Sequence, residues 1–220
     1  MEPCLKIDTW KTLDYPIKKV GNVEITNQHY KGFYLMEGVD GYAMFEATKR
    51  IPIKILKIDG QQWMVDDPLH WIGMKRLAEN SEGNVLVGGL GLGLVAYHLL
   101  KNPKVEKITI IEMNKNVIKL VGKLFANNNK VQIIQGNVKD YSWMKKDVYY
   151  DTIILDIWTY NGGKKNIRIW AEMVSCISSF EHTYPNSKVF VWGLRDKKHN
   201  PSVKDMPQEY FELIKIISDG

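Results

Sequence analysis

The chain has 220 residues, 45% of them hydrophobic, and a formal charge of +5 at pH 7, which suits one α/β domain, or one with a small appendage. Two cysteines without metal-ligand spacing indicate neither a disulfide framework nor a metal site, and glycines interrupt the only long apolar stretch, 85–100, unlike a membrane span. No signal-peptide pattern opens the chain, so we expect a cytoplasmic protein, and the modest charge permits an anionic partner, nucleic acid included, without requiring one.

The first part of the chain predicts a small antiparallel β appendage over residues 1–62. Short β-like runs at 23–26, 32–36, 42–47 and 51–58 are separated by glycines and a proline, a spacing typical of hairpins. The pair Asp67-Pro68 then predicts a helix start, with a helix over 69–80.

From residue 84 onward, β-like and helix-like segments alternate. The predicted strands are 84–88, 107–113, 131–136, 150–157 and 188–193. The predicted helices are 92–101, 114–126, 139–145, 165–182 and 207–217. Such alternation predicts βαβ units, and therefore a mostly parallel Rossmann-like sheet with helices on both faces, over residues 63–220. Ligands bind such sheets beyond the carboxyl ends of the strands.

A glycine-rich turn follows the first of these strands. Residues 85–93 read VLVGGLGLG, a buried strand running into a turn that opens a helix. Gly89, Gly91 and Gly93 would let backbone amides approach a ligand, and the positive end of the helix would point to the same place.

An acid, Glu112, ends the second strand. Its distance along the chain from the glycine turn is the one at which nucleotide-binding βαβ units have the acidic residue that binds the ribose hydroxyls. A carboxylate offers two acceptor oxygens to two neighbouring hydroxyl groups. The alternative is a solvated strand-end glutamate. A nicotinamide-cofactor domain would expect a third glycine where this chain has Leu94, which disfavours that cofactor.

Together, these strand ends resemble the class I S-adenosylmethionine-dependent methyltransferases, and among them the polyamine aminopropyltransferases, which are spermidine synthase-like. The similarity is carried by the glycine turn and by the segments 58–67, 103–118, 135–137 and 150–156. It implies S-adenosylmethionine as the cofactor. Gly89, Gly91 and Gly93 would face its methionine moiety and ribose, Glu112 would bind the ribose, and Met113 would pack against the adenine.

The resemblance assigns roles after the third and fourth strands as well. Asn137 stands where the family usually has an aspartate that binds the adenine amino group, and an amide oxygen can accept the same hydrogen bond. Val138, next to it, belongs to the same predicted cofactor site. Asp156 stands where the family places its acid near the reacting sulfonium, and we predict that it is catalytic, orienting the acceptor or accepting its proton.

The loop after Asp156 departs from the aminopropyltransferase pattern, because no second carboxylate follows it. Basic residues follow this strand and the fifth strand instead, namely Lys164, Lys165, Arg168, Arg195, Lys197 and Lys198. If they line one entrance, they favour a small-molecule substrate that is anionic or neutral. The alternative is a solvated basic surface.

Four residues are candidates for contact with the substrate. Trp158 and Tyr160 could stack on a planar group, although buried aromatic packing is an equal alternative. Asp66 and His70 lie in a stretch that closes over the cofactor in the synthases. His70 could act as a general base, although a lone histidine beside an apolar Trp71 is more often structural.

The function predicted from the sequence is methyl transfer from S-adenosylmethionine to an unidentified acceptor. Aminopropyl transfer, or cleavage of the cofactor to methylthioadenosine, is the first alternative, and a cofactor-binding protein without turnover is the second. Residues 206–218 predict one helix or one strand, so we expect a truncated sheet with an open edge and, through it, a homo-oligomer.

Overall fold

The computed structural model describes residues 4–7, 9–38, 41–143, 148–158, 165–194 and 198–201. Within these ranges the chain forms two five-stranded sheets, one after the other along the sequence, with four α-helices. The predicted helix over 207–217, the wider segment 206–218 and Tyr160 lie outside the described residues.

The first sheet is built from a long hairpin. Its strands are β1 (Cys4–Ile7), β2 (Lys19–Val20), β3 (Val23–Gly38), β4 (Gly41–Ile58) and β5 (Gln61–Val65). Strands β3 and β4 pair antiparallel, β2 extends the sheet beyond β3, and β4 pairs with both β1 and β5. Strand β1 runs parallel to β4, so the appendage is antiparallel except for this edge.

The four short β-like runs predicted from the sequence are joined in the structure into the two strands β3 and β4. Gly32, with φ at +124°, absorbs a register shift after Tyr30 without ending β3. Pro52 lies between the stretches of β4 that pair with β1 and with β5, so its missing amide interrupts neither of those ladders.

The second sheet is parallel throughout, with the strand order β10-β9-β6-β7-β8. Its strands are β6 (Gly83–Gly88), β7 (Val105–Glu112), β8 (Val131–Gln135), β9 (Thr152–Leu155) and β10 (Lys188–Val191). The chain moves outward from β6 to β8 and then returns to the other side of β6, which places a topological switch point between β6 and β9. The Rossmann-like fold class predicted from the sequence is confirmed.

The helices are α1 (Pro68–Glu79), α2 (Leu94–Lys101), α3 (Lys115–Val121) and α4 (Lys165–Thr183). The helix predicted over 114–126 is shorter than expected, because a 3₁₀ turn at Gly122–Leu124 replaces its end. Where a helix is predicted over 139–145, the described residues form a 3₁₀ turn, Val138–Ser142, and no α-helix. Asn137 is the N-cap of the turn Val138–Ser142, and its side chain accepts a hydrogen bond from the Lys139 amide.

The core of the first sheet is continuous with that of the second. Ile25, Leu56 and Met64 pack into the same buried cluster as Val85 and Ile110 of the parallel sheet. The domain boundary predicted after residue 62 falls inside β5, because that strand completes the first sheet. The division into two domains stays a prediction.

Within the described ranges, no helix is both long and apolar enough to cross a membrane. In the same ranges, no group of three or more acidic, cysteine or histidine side chains could hold a metal ion.

Candidate functional site

The switch point brings several chain segments together at the carboxyl edge of the parallel sheet. The Asp156 amide donates to the Gly88 carbonyl at 2.9 Å, and the Gly89 amide donates to the Ile111 carbonyl, also at 2.9 Å. The ends of β6, β7 and β9 are thus joined by backbone hydrogen bonds. This edge carries the glycine turn, Glu112 and Asp156, as the sequence predicts.

The glycines of the turn are required by the protein's own packing. All three have positive φ, at 90° for Gly89, 49° for Gly91 and 75° for Gly93. A Cβ on Gly89 would collide with the Asp156 carbonyl oxygen, and one on Gly93 would lie 2.6 Å from the ring of Phe125. Because these faces meet protein atoms, the glycines allow close contact between β6, β9 and α3. Their predicted contact with the cofactor stays a prediction.

Most amides of the turn donate within the protein. The Leu90 amide donates to Glu112 Oε2 at 2.8 Å, the Leu92 amide to Met64 Sδ at 3.1 Å, and the Gly93 amide to the Leu90 carbonyl at 2.7 Å. Sequence reasoning missed Met64, which anchors the turn from the end of the first sheet. The amides of Leu90, Leu92 and Gly93 therefore donate to acceptors within the protein, and these hydrogen bonds fix the shape of the turn at the site.

Glu112 is partly buried at the end of β7 and organises the loop around it. Its Oε2 accepts from the Leu90 amide, and its Oε1 accepts from the Asn114 amide at 2.7 Å. An ionised carboxylate has about four acceptor positions, so each oxygen can accept one further hydrogen bond. The carboxylate is thus held in place with capacity left for two ligand hydroxyl groups.

The adenine side of the predicted cofactor site includes exposed and buried residues. Met113 is 71% exposed beside Glu112, and Asn137 is exposed with its Oδ1 accepting from the Lys139 amide at 3.1 Å. Val138 is buried, and its methyl groups lie against Gly88, where a Cβ would be 2.8 Å away. Met113 and Asn137 are therefore accessible to an adenine ring, whereas Val138 packs against Gly88 in the protein interior.

Asp156 is partly buried at the end of β9. Burial raises the pKa of its carboxyl group to about 6; nearby His70 opposes this rise and the negative Glu112 adds to it. A carboxylate with its pKa near neutrality can exchange protons at physiological pH, and such groups are frequent at functional sites.

His70 belongs to the same edge, because helix α1 begins there. Asp67 is the N-cap of α1, and its Oδ1 accepts from the His70 amide at 2.9 Å. The same oxygen lies 2.8 Å from Nδ1 of the His70 ring. The sequence predicted a helix start at Asp67 but not its contact with the His70 ring. The spacing of three residues between this N-cap and the histidine could have indicated that contact.

Asp66, in contrast, is used by the fold. Its carboxylate accepts hydrogen bonds from the Thr12 hydroxyl and the Lys54 amide, and its carbonyl accepts from Trp10 Nε1 at 2.7 Å. Burial raises the pKa of this carboxyl group, and its hydrogen bonds oppose the rise. Asp66 ties the N-terminal segment to β4, and its predicted contact with substrate stays a prediction.

The remaining candidates give less information. Trp158 is partly buried and packs on the cluster beneath β9, with its indole N–H unpaired among the described residues. Of the predicted basic entrance, Arg168 is exposed and Lys198 forms an ion pair with Glu181 at 2.7 Å. Lys164, Arg195 and Lys197 lie outside the described residues, and the basic entrance stays a prediction.

The fold and the site together define a Rossmann-like domain whose carboxyl edge has the acceptor groups and apolar surface that a nucleoside-containing cofactor needs. Glu112 at the end of β7 has two acceptor positions left, the exposed Met113 offers an apolar surface, and Asp156 places a carboxylate at the end of β9, on the other side of β6. These residues fit S-adenosylmethionine, whose sulfur is positively charged.

Sequence comparison agrees with this class. The chain is 31% identical over 78 residues to putrescine N-methyltransferase 2 from Nicotiana attenuata, a match that covers 33% of this chain and 21% of that protein. Putrescine N-methyltransferase 1 from Nicotiana tabacum is similar to the same extent. The chain therefore spans about a fifth of the length of these relatives. No protein-family model matches. The predicted resemblance to S-adenosylmethionine-dependent transferases of the spermidine synthase-related group is confirmed.

Solved structures with a similar arrangement include a spermidine synthase in complex with the transition-state analogue AdoDATO. It has 20% sequence identity and a TM-score of 0.43, and covers 59% of this chain and 50% of that one. The spermidine synthase from Thermotoga maritima has 19% identity and a TM-score of 0.38, with coverages of 57% and 47%.

Proposed function

We propose that the protein is an S-adenosylmethionine-dependent methyltransferase that acts on a small-molecule amine. The observation that carries the proposal is the position of two acidic residues at the carboxyl edge of the parallel sheet. Glu112 ends β7 and Asp156 follows β9, and these two strands flank β6 with its glycine turn. The sequence similarity to putrescine N-methyltransferases supports the reaction class. A cytoplasmic location goes with this proposal, since the cysteine-poor sequence has no disulfide framework.

In this proposal Glu112 binds the ribose hydroxyls, Met113 covers one face of the adenine, and Asn137 accepts a hydrogen bond from its amino group. When bound, S-adenosylmethionine supplies a methyl group activated by a positively charged sulfur, and its loss leaves a neutral thioether. The protein's contribution is to bind and orient both reactants, because the leaving group needs no acid.

Asp156 orients the acceptor. Its carboxylate, with a pKa of about 6, is mostly ionised above neutral pH and can hold an amine by a charge-assisted hydrogen bond. Glu112, Asp67 and Asp156 place three carboxyl groups around this edge, with His70 among them. This local charge favours an amine, whereas the basic rim inferred from the sequence favours an anionic acceptor. Both acceptor classes therefore belong in the test.

The test is mass spectrometry of the nucleosides formed when the protein is incubated with S-adenosylmethionine and separate pools of amines and anionic metabolites. We expect S-adenosylhomocysteine with an amine pool. Methylthioadenosine would instead indicate aminopropyl transfer or cleavage of the cofactor. Cofactor binding without either product would indicate a binding protein. Each of these two results would overturn the proposed reaction.

A matched pair of variants tests the site itself. Glu112→Gln keeps the side-chain size but replaces one acceptor oxygen with a donor, which would then face the amide of Leu90 or Asn114. We expect cofactor affinity measured by calorimetry to fall by about tenfold or more, since a lost hydrogen bond to a charged group is worth roughly 1.5–3 kcal/mol. Glu106→Gln, on the exposed opposite end of the same strand, is the control. Equal affinities in the two variants would contradict the assignment of Glu112.

A further inference from the structure

We propose that His70, held by Asp67, is the base that takes the proton released by the acceptor nitrogen, while Asp156 binds and orients that nitrogen. This inference rests on the proposed function and assigns the proton step of the same site.

The first support is the geometry of the ring. Nδ1 of His70 lies 2.8 Å from Asp67 Oδ1, an oxygen that also caps helix α1 through the His70 amide at 2.9 Å. A carboxylate accepts only, so Nδ1 is the protonated nitrogen in this hydrogen bond. Nε2 is then the basic nitrogen, and among the described residues no hydrogen bond occupies it. An imidazole whose tautomer is set by a carboxylate is a suitable general base.

The second support is the way in which the ring is held at the carboxyl edge. The ring centroids of His70 and Trp192 are 5.7 Å apart, and Trp192 comes directly after β10. The Trp192 amide donates to the Leu155 carbonyl at 3.0 Å, one residue before Asp156. The indole also packs so closely on α1 that a Cβ on Gly73 would collide with it. Helix α1, β9 and β10 are therefore locked together around the imidazole.

The charges around the ring agree with a basic role. Burial lowers the pKa of His70, but the charge and hydrogen bond of Asp67, and then the charges of Asp156 and Asp66, outweigh it, so the pKa lies above its ordinary value. The imidazole is thus a stronger base than a free histidine.

In this proposal one proton passes from the acceptor nitrogen to His70 and then to solvent. The lone pair of a neutral amine forms the N–C bond to the methyl group while the C–S bond breaks and its electron pair stays on sulfur. As the nitrogen gains positive charge during this bond formation, it loses one proton to Nε2 of His70. The imidazolium is stabilised by Asp67 and passes the proton to solvent before the next turnover, so no further reactant is needed.

Two variants separate a base from a structural residue. His70→Gln removes the base, and we expect kcat to fall by about 100-fold, within the range typical of general bases. Asp67→Asn keeps a good N-cap for α1 but removes the charge that raises the His70 pKa, so the alkaline-rising limb of kcat/KM against pH should move to lower pH. The surface histidine His182, on α4, provides the control His182→Gln.

A second measurement is independent of turnover. In the protein without cofactor, the His70 ring-proton resonance, assigned by its loss in His70→Gln, should titrate above pH 6.5, and Asp67→Asn should lower that pKa. Turnover with unchanged pH limbs in both variants, or a His70 pKa that Asp67→Asn leaves unmoved, would overturn this inference and leave the proposed function standing. Absence of any turnover in the unsubstituted protein would overturn the proposed function and the proton step with it.

Discussion

Asp156→Asn is expected to stabilise the protein while abolishing methyl transfer. Asn has nearly the same size and keeps the side chain polar, so the main change is the loss of an ionisable group. Burial makes the charged form of Asp156 unfavourable in the folded protein and raises its pKa from 3.8 to about 6. A carboxylate that is retained at the cost of stability is best explained by function.

The size of the effect follows from linkage. A rise in pKa from 3.8 to about 6 corresponds to about 3 kcal/mol lost once the group is ionised in both states. Because the folded pKa is the higher one, the folded state is not penalised below about pH 4. The loss develops as the pH rises from about 4, the unfolded pKa, through about 6, the folded pKa, and is complete above it. The stabilisation by Asp156→Asn should therefore be near zero at about pH 4 and reach about 2–3 kcal/mol above pH 7.

Urea unfolding of both proteins, without cofactor, over about pH 4 to pH 8 measures this difference. Asp140→Asn, on the exposed 3₁₀ turn, is the matched control. A stability difference that does not change with pH, or an Asn variant less stable than the parent at neutral pH, would refute the reasoning that burial strains this carboxylate.

Two further predictions concern packing and burial away from the reacting groups. In urea unfolding, Gly93→Ala should destabilise the fold by about 1–3 kcal/mol more than Gly60→Ala. Both glycines have similar positive φ, but only at Gly93 would the new methyl group meet the ring of Phe125. Equal losses of stability would mean that backbone strain alone acts. Burial, with the nearby Lys101 and Lys75, lowers the pKa of His98 to about 3. Its ring-proton resonance should therefore not titrate between about pH 8 and pH 5. The stability of the fold should decline as the pH falls below about 6.5, because the histidine then binds a proton in the unfolded chain only. A His98 titration near pH 6.5 would contradict this.

The parallel sheet and its functional edge were accessible from the sequence. Buried strands, helices of regular length and a glycine turn are local patterns, and they predicted the ends of all five parallel strands to within about two residues. The residues at the strand ends, Glu112 and Asp156, could be identified because parallel strands bring their carboxyl ends to one edge whatever the details of packing.

Tertiary structure alone decided what surrounds those residues. The role of the turn glycines depends on Phe125 and the Asp156 carbonyl, which are distant in sequence and adjacent only after β6, β9 and α3 pack. The same holds for the first sheet, where the pairing of β3 with β4 along their whole length joins four short runs into two long strands. Contacts between residues far apart in the chain leave no periodic pattern in it.

The chemistry of the site shows the same division. The sequence placed an acid after β9 and a histidine near α1, but the pKa of Asp156 depends on burial, and the state of His70 depends on Asp67, Asp156 and Asp66 meeting around one ring. Desolvation and charge act through space. The residue types were therefore determined by the sequence, and their acid–base character by the fold.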